Sequence, residues 1–121
     1  MKFVIPGRLP GLNEIIEANR SNRYEGANQK KNETRRCALE IIRQTRETIR
    51  RPFYVVVAWY ERDLRRDPDN VCAGIKFVLD ALVEVGRIPN DTRKFVLGID
   101  HSFLDPDKQN PRVEVEIVEG P

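Results

Sequence analysis

Two carboxylates flank a proline in the string Arg65-Arg66-Asp67-Pro68-Asp69-Asn70, the densest run of chemically capable side chains in the chain. Pro68 fixes its own φ at about −65° and biases Asp67 toward extended backbone. In extended backbone residues i and i+2 project to one side, so Asp67 and Asp69 present their carboxylates together at the mouth of a helix. Hard divalent cations such as Mg²⁺ take a few such oxygen ligands and leave water and substrate phosphate to complete the octahedron. Each residue also has a plain structural use. Asp69 suits the N-cap of a helix starting near Asn70, and Asp67 stands next to Arg66 as an ion-pair partner. An EF-hand loop is excluded, because Val71 and Cys72 occupy the positions that need an oxygen ligand and a glycine. Further along, Lys76 and Asp80 are spaced as i,i+4 helical neighbours, and Asp91 follows Pro89-Asn90 in a turn.

Composition narrows the chemistry to carboxylates, lysines and arginines. The 121 residues hold 21 Lys plus Arg, 19 Asp plus Glu, 1 His and 2 Cys, for a net charge of +2. A Cys/His zinc centre needs about four ligands, whereas Cys37, Cys72 and His101 are three and scattered. A Ser-His-Asp triad would have to use His101 with Ser21 or Ser102. No Gly-rich phosphate loop is present, so no organic nucleotide cofactor is expected. No apolar run nears the roughly 20 residues of a membrane span, and the opening Met-Lys-Phe-Val-Ile-Pro lacks a signal-peptide core. A cytoplasmic, membrane-free protein with reduced cysteines is expected. The length fits one domain, residues 1–121.

The small net charge conceals a division. Residues 1–66 hold 15 Lys/Arg against 8 Asp/Glu, and residues 67–121 hold 6 against 11. A basic half joined to an acidic half suggests a polyanion-binding surface beside a concentration of negative charge. Solvated helix faces give the same bias.

The elements that would position these groups follow from periodicity. Lys2–Ile5 reads as a strand stopped by Pro6-Gly7, and residues 6–29 read as a long loop with a helical turn near Glu14–Ala18. A helix is expected over 29–50, with Ala38, Ile42, Thr45 and Ile49 at helical spacing. The β-branched and aromatic run 53–60 reads as a central strand buried on both faces. Val71, Ile75, Val78, Leu79 and Leu82 mark a helix from about Asn70 to Val85, with Gly86 as its C-terminal cap. Strands over 95–99 and 112–118, joined by an irregular hairpin connection, complete a β-α-β-α-β-β order. The expected class is α+β, a small mixed sheet with two main helices.

The composite pattern resembles a family. Arg66-Asp67-Pro68-Asp69-Asn70, then Lys76, then Asp80-Ala81-Leu82, then Gly86 and Asn90-Asp91, is similar to the RusA family of Holliday-junction resolvases. Pro10-Gly11-Leu12-Asn13 is similar to that family's Pro-rich opening ending in Asn. The match covers roughly residues 65–91, with several fixed spacings. It differs at Asn90, where the family has the first of an acidic pair, and in a longer gap from Asn70 to Lys76.

The resemblance implies a small homodimeric endonuclease, often phage- or prophage-borne, that nicks four-way DNA junctions symmetrically with Mg²⁺, or with Mn²⁺ in its place. By the family pattern Asp67, Asp69 and Asp91 match the metal-binding catalytic carboxylates, Lys76 the essential lysine and Asn70 the motif asparagine, with Asp80 beside them. Arg65, Arg66, Asn13, Lys30, Lys31, Arg35 and Arg36 are the candidate DNA contacts. A helix from Asn70 to Val85 spans about 24 Å at 1.5 Å per residue. Only Gly86–Asn90 remain to bring Asp91 back to Asp69, so a site within one chain would need an almost fully extended path, and a site shared between two subunits is expected. A related nuclease on other branched DNA, a DNA-binding dimer without catalysis, and a structural module whose carboxylates only cap and pair are the alternatives.

Overall fold

Alternation over 112–118 and the β-branched run 53–60 both become strands, and the helical stretches pack as a layer against one face of the sheet they join. The computed structural model describes residues 1–121. In chain order the elements are β1 (Lys2–Pro6), α1 (Leu12–Ser21), α2 (Arg23–Gln44), β2 (Phe53–Tyr60), α3 (Pro68–Cys72), α4 (Ile75–Glu84), β3 (Val96–Phe103) and β4 (Arg112–Glu119). The class is α+β and the coarse order is the expected one, with each helical stretch divided in two. The strands form a mixed sheet in the order β1-β4-β2-β3. β4 is antiparallel to β1 and β2, and β2 is parallel to β3. No helix is long and apolar enough to cross a membrane.

The order corrects the expected hairpin at the C-terminal end. β4 enters between β1 and β2, so β3 and β4 never pair. Their connection instead passes the end of β2, where Leu104 N–H donates to the Trp59 carbonyl and Asp107 N–H to that of Glu61. β2 is central but buried on one face alone. Phe53, Val55, Val57 and Trp59 join the core with Ile41 of α2 and Val78 and Leu82 of α4. The alternate residues Tyr54 and Val56 remain 45% and 36% exposed, because no second helical layer covers them.

The helices depart from expectation where local chemistry outweighs the averaged pattern. The loop read over 6–29 contains all of α1 and the start of α2. Its Pro and Gly residues cluster in 6–11, and Asn22 caps α2 by accepting the Glu25 N–H at 2.7 Å. Gly26 is tolerated inside α2 because a Cβ there would collide with the Asn19 side chain of α1. At the other end α2 stops at Gln44, six residues early. Thr45 turns extended, Arg87 grips its hydroxyl and carbonyl at 2.9 and 3.1 Å, and Ile49 enters the core beyond the helix. The helix read over 70–85 breaks at Ala73-Gly74. A Cβ on Gly74 would come within 2.9 Å of the Leu9 side chain and 3.4 Å of the Trp59 ring. Gly86 ends α4 at φ 74°, as a cap residue in the left-handed region should.

The two edges of the sheet differ. On β1, the Gln44 carboxamide accepts the Val4 N–H and donates to the Val4 carbonyl, each at 2.8 Å, in the way a neighbouring strand would. Replacing it by Gln44→Ala returns both groups to water. Unfolding in urea is expected to become easier by about 0.5–1 kcal/mol, and the Val4 amide to exchange faster. An unchanged exchange rate at Val4 would contradict this account of the edge.

Candidate functional site

Beyond Tyr60 the chain leaves the sheet through an arginine-rich loop and re-enters helix at Pro68. Asp67 has φ −71° and ψ 158°, the extended conformation that a following proline favours. The helix starts at Pro68 rather than near Asn70, so Asp67 and not Asp69 occupies the N-cap. Its side chain makes no capping hydrogen bond, and Asp69 lies in the first turn. Both side chains are exposed.

The neighbouring arginines engage other partners. Arg66, with its side chain only 10% exposed, places Nε and Nη2 2.6 Å from Glu61 Oε1. Its Nη1 donates to the Leu9 carbonyl at 3.0 Å and to Glu14 Oε1 at 3.1 Å. Glu14 also receives Arg8 and the Gly11 N–H. Arg62 and Arg65 lie 3.7 and 3.8 Å from Asp63. Asp67 is therefore not the partner of Arg66, and neither Asp67 nor Asp69 is drawn into an ion pair.

Asn70 accepts the Asn13 N–H on Oδ1 at 3.0 Å, which fixes the start of α3 against the start of α1. Asn13 and Asn70 are thus brought together across 57 residues of sequence. Gly11 permits this approach: a Cβ there would lie 2.5 Å from Asn70 Oδ1 and 2.8 Å from Arg66 Nη1. The Pro10-Gly11-Leu12-Asn13 segment and the carboxylate segment are one structural unit, fastened by Arg66, Glu14 and Asn70.

Lys76 projects from α4 and remains exposed, with Nζ 3.6 Å from Asp80 Oδ2. Asp80 faces a groove between α2 and α4 that Lys30, Lys31 and Arg35 also line. Arg36 is engaged by the fold, donating to the Pro6 and Arg8 carbonyls at 2.6 and 2.8 Å and to Glu33. Asp91 is exposed beyond α4, and its N–H donates to the Asn90 side chain at 2.8 Å. Within one chain no three His, Cys, Asp or Glu side chains gather into a metal-holding group. The topology explains why. Asp67 lines a cleft with Phe103 and Leu104, at the C-terminal end of β3, while Asp91 precedes its N-terminal end. Eight strand residues at about 3.3 Å each separate the two ends.

Two features escaped the sequence reading. Lys108, from the β3–β4 connection, shares a surface hollow with Arg62, Asp63 and Arg65, and so adds a third cation to that loop. His101 stacks between Trp59 and Phe103, with centroids 6.0 and 6.4 Å away. Period-two spacing places 101 and 103 on one face, but the parallel pairing that brings Trp59 alongside is a tertiary fact. Trp59 Nε1–H donates to His101 Nδ1 at 2.9 Å, so the imidazole is held neutral with its proton on Nε2. Burial lowers the His101 pKa, and Asp100 pulls weakly the other way. Burial also pushes the Cys37 thiol up to about 12, leaving it inert. The Cys72 thiol is raised by burial and then by the charge of Asp69.

Arg66→Ala would strand Glu61 in a largely buried position, and is expected to cost about 3 kcal/mol or more in a urea titration. A loss under about 1 kcal/mol would show that Arg66 does not fasten these segments. For His101 the folded pKa lies below 6.5, so the unfolded chain takes up the proton first. The stabilisation is complete above pH 6.5 and is lost as pH falls through the lowered folded value. Denaturant titrations followed by fluorescence of Trp59, the one tryptophan, should show this slope in the native protein and a shallower one in His101→Phe. Comparison of the chain with protein-family models and with curated proteins finds no match to either.

Proposed function

We propose that the chain is a RusA-like, Mg²⁺-dependent endonuclease that resolves four-way DNA junctions as a homodimer. The observation that carries this reading is the state of Asp67 and Asp69: both exposed, one at the N-cap and one in the first turn of α3, and free of capping bonds and of ion pairs. Carboxylates that only capped and paired would be engaged themselves. Their all-oxygen chemistry fits a hard divalent cation, with Asp67 and Asp69 from one subunit and the partner's Asp91 as the third carboxylate. Bound there, Mg²⁺ would supply Lewis-acid assistance to water and to the scissile phosphate.

The chain's own residues account for the remaining requirements. Arg62, Arg65 and Lys108 line one exposed hollow in the loop that leads to Asp67 and suit the phosphates on either side of the scissile bond. Lys76 is an exposed cation for the charge that develops on phosphate, 3.6 Å from Asp80. Lys30, Lys31 and Arg35 offer backbone contacts on α2. Arg66, Arg36 and Asn70 act as positioning residues, because Arg66 Nη1, the Arg36 guanidinium and Asn70 Oδ1 are each hydrogen-bonded within the fold. Two copies related by a two-fold axis carry two such sites, which matches paired nicks in a symmetric junction. Other branched DNA remains an alternative substrate. A DNA-binding dimer without catalysis is favoured by one observation, the neutral Asn90 side chain whose Oδ1 accepts the Asp91 N–H.

A labelled four-way junction incubated with the protein and Mg²⁺ is expected to show symmetric nicks. Asp67→Asn and Asp69→Asn should each reduce nicking by about 100-fold or more while leaving binding intact. Binding without nicking by the native protein would establish the non-catalytic dimer. No binding at all would defeat the nucleic-acid reading.

A further inference from the structure

Two buried threonines of the α2 segment are treated differently. Thr45, at the C-terminal cap, donates its hydroxyl to the Ile41 carbonyl at 2.6 Å, the usual recourse of a threonine on a helix. Thr34 is only 9% exposed, yet its hydroxyl has no hydrogen-bond partner. A buried polar group left in this state costs stability, so its presence calls for a use.

Thr34 lines the groove between α2 and α4, which has a volume of about 530 Å³. Lys30 and Lys31 precede it by four and three residues, and Arg35 follows Lys31 by four, which sets them on one side of the helix. Asp80 and Glu84, one turn apart, supply the α4 wall. The two rows of opposite charge do not close on each other. Arg36 and Arg43 of the same helix pair with Glu33 and Glu40. Lys30, Lys31 and Arg35 have no carboxylate at ion-pair distance, and Asp80 is matched by Lys76 of its own helix.

We propose that this groove seats one backbone phosphate of the bound strand, with the Thr34 hydroxyl donating to a phosphate oxygen and Lys30, Lys31 and Arg35 supplying the counter-charge. Unpaired cations beside a free hydroxyl form the donor set that a phosphate takes. A metal ion is excluded as the occupant, because three positive side chains would repel it. An apolar ligand finds only Ala27 and Val83 in the lining. Asp80 connects the seat to the reaction, since its side chain both lines the groove and lies 3.6 Å from Lys76. A strand whose phosphate meets Lys76 continues directly into the groove. The inference rests on the nucleic-acid reading above and adds to it a fixed point away from the carboxylates.

Thr34→Val keeps the shape of the side chain and removes the hydroxyl. Because that hydroxyl has no partner in the fold, the variant should unfold in urea at the native midpoint or above it. Its affinity for a labelled four-way junction, measured without Mg²⁺, should fall about 10-fold. Thr34→Ser, which restores the hydroxyl, should recover most of that loss. Lys31→Gln should lower the slope of log affinity against log salt by about one. A thymidine tetranucleotide titrated into the native protein should move the amide signals of Ala27, Thr34 and Val83.

Junction affinity unchanged in Thr34→Val, or lost together with folding stability, overturns the proposal even where the native protein nicks junctions. Equal signal shifts with inorganic phosphate would make the groove a free-anion site and overturn the assignment to a strand. A native protein that binds neither DNA overturns both readings. Tetranucleotide shifts and the Thr34→Val loss in a native protein that fails to nick uphold the groove and defeat the endonuclease reading separately.

Discussion

The guanidinium of Arg66 is the constraint on which the rest of this region depends. A charge so nearly buried must be paired and hydrogen-bonded, or the fold cannot tolerate it. Its partners come from three separated segments: Glu61 just after β2, Glu14 on α1, and the Leu9 carbonyl between β1 and α1. Satisfying one side chain therefore docks the first helix, the β1–α1 loop and the exit of the central strand together. The adjacent Asp67 is left without a cationic partner as a direct result. Gly11 belongs to the same constraint, since a side chain there would occupy the space of Asn70 and Arg66.

Sheet order imposes the second limit. Because β2 and β3 run parallel, the residues that leave β2 and those that enter β3 lie at opposite ends of the sheet. The polypeptide between them, α3 and α4, makes the return. Broken at Gly74, this helical stretch packs its apolar side into the core through Phe77, Val78, Leu79, Ala81 and Leu82. Lys76 remains exposed, and Asp80 faces the groove between α2 and α4. The topology thus separates carboxylates that the sequence motif sets within a few turns of each other.

How much of this was legible depends on the range of the interaction. β2, β4 and the Gly86 cap could be read because alternation, β-branching and a left-handed glycine are local signals. The extended backbone at Asp67 was equally local, set by Pro68. The averaged Pro/Gly content of 6–29 concealed α1, since all of those residues except Gly26 lie in 6–11 and the helix starts directly afterwards. Arg66 was misjudged for a different reason. Nothing near it in sequence reveals that Leu9 and Glu14, 57 and 52 positions earlier, converge on it. Strand order was equally hidden, because β4 inserting between β1 and β2 is settled by burial of Val113, Val115 and Ile117 rather than by any turn.

The carboxamide of Gln44 has a consequence for assembly size. A sheet with two open edges can add further sheets at both ends, so that edge pairing propagates into a fibre. Here one end is terminated within the chain itself, by an amide that occupies the donor and the acceptor of Val4. With β1 closed in this way, strands cannot be added at that end of the sheet. The side chain acts as a chain terminator in the polymer sense, written into the monomer itself.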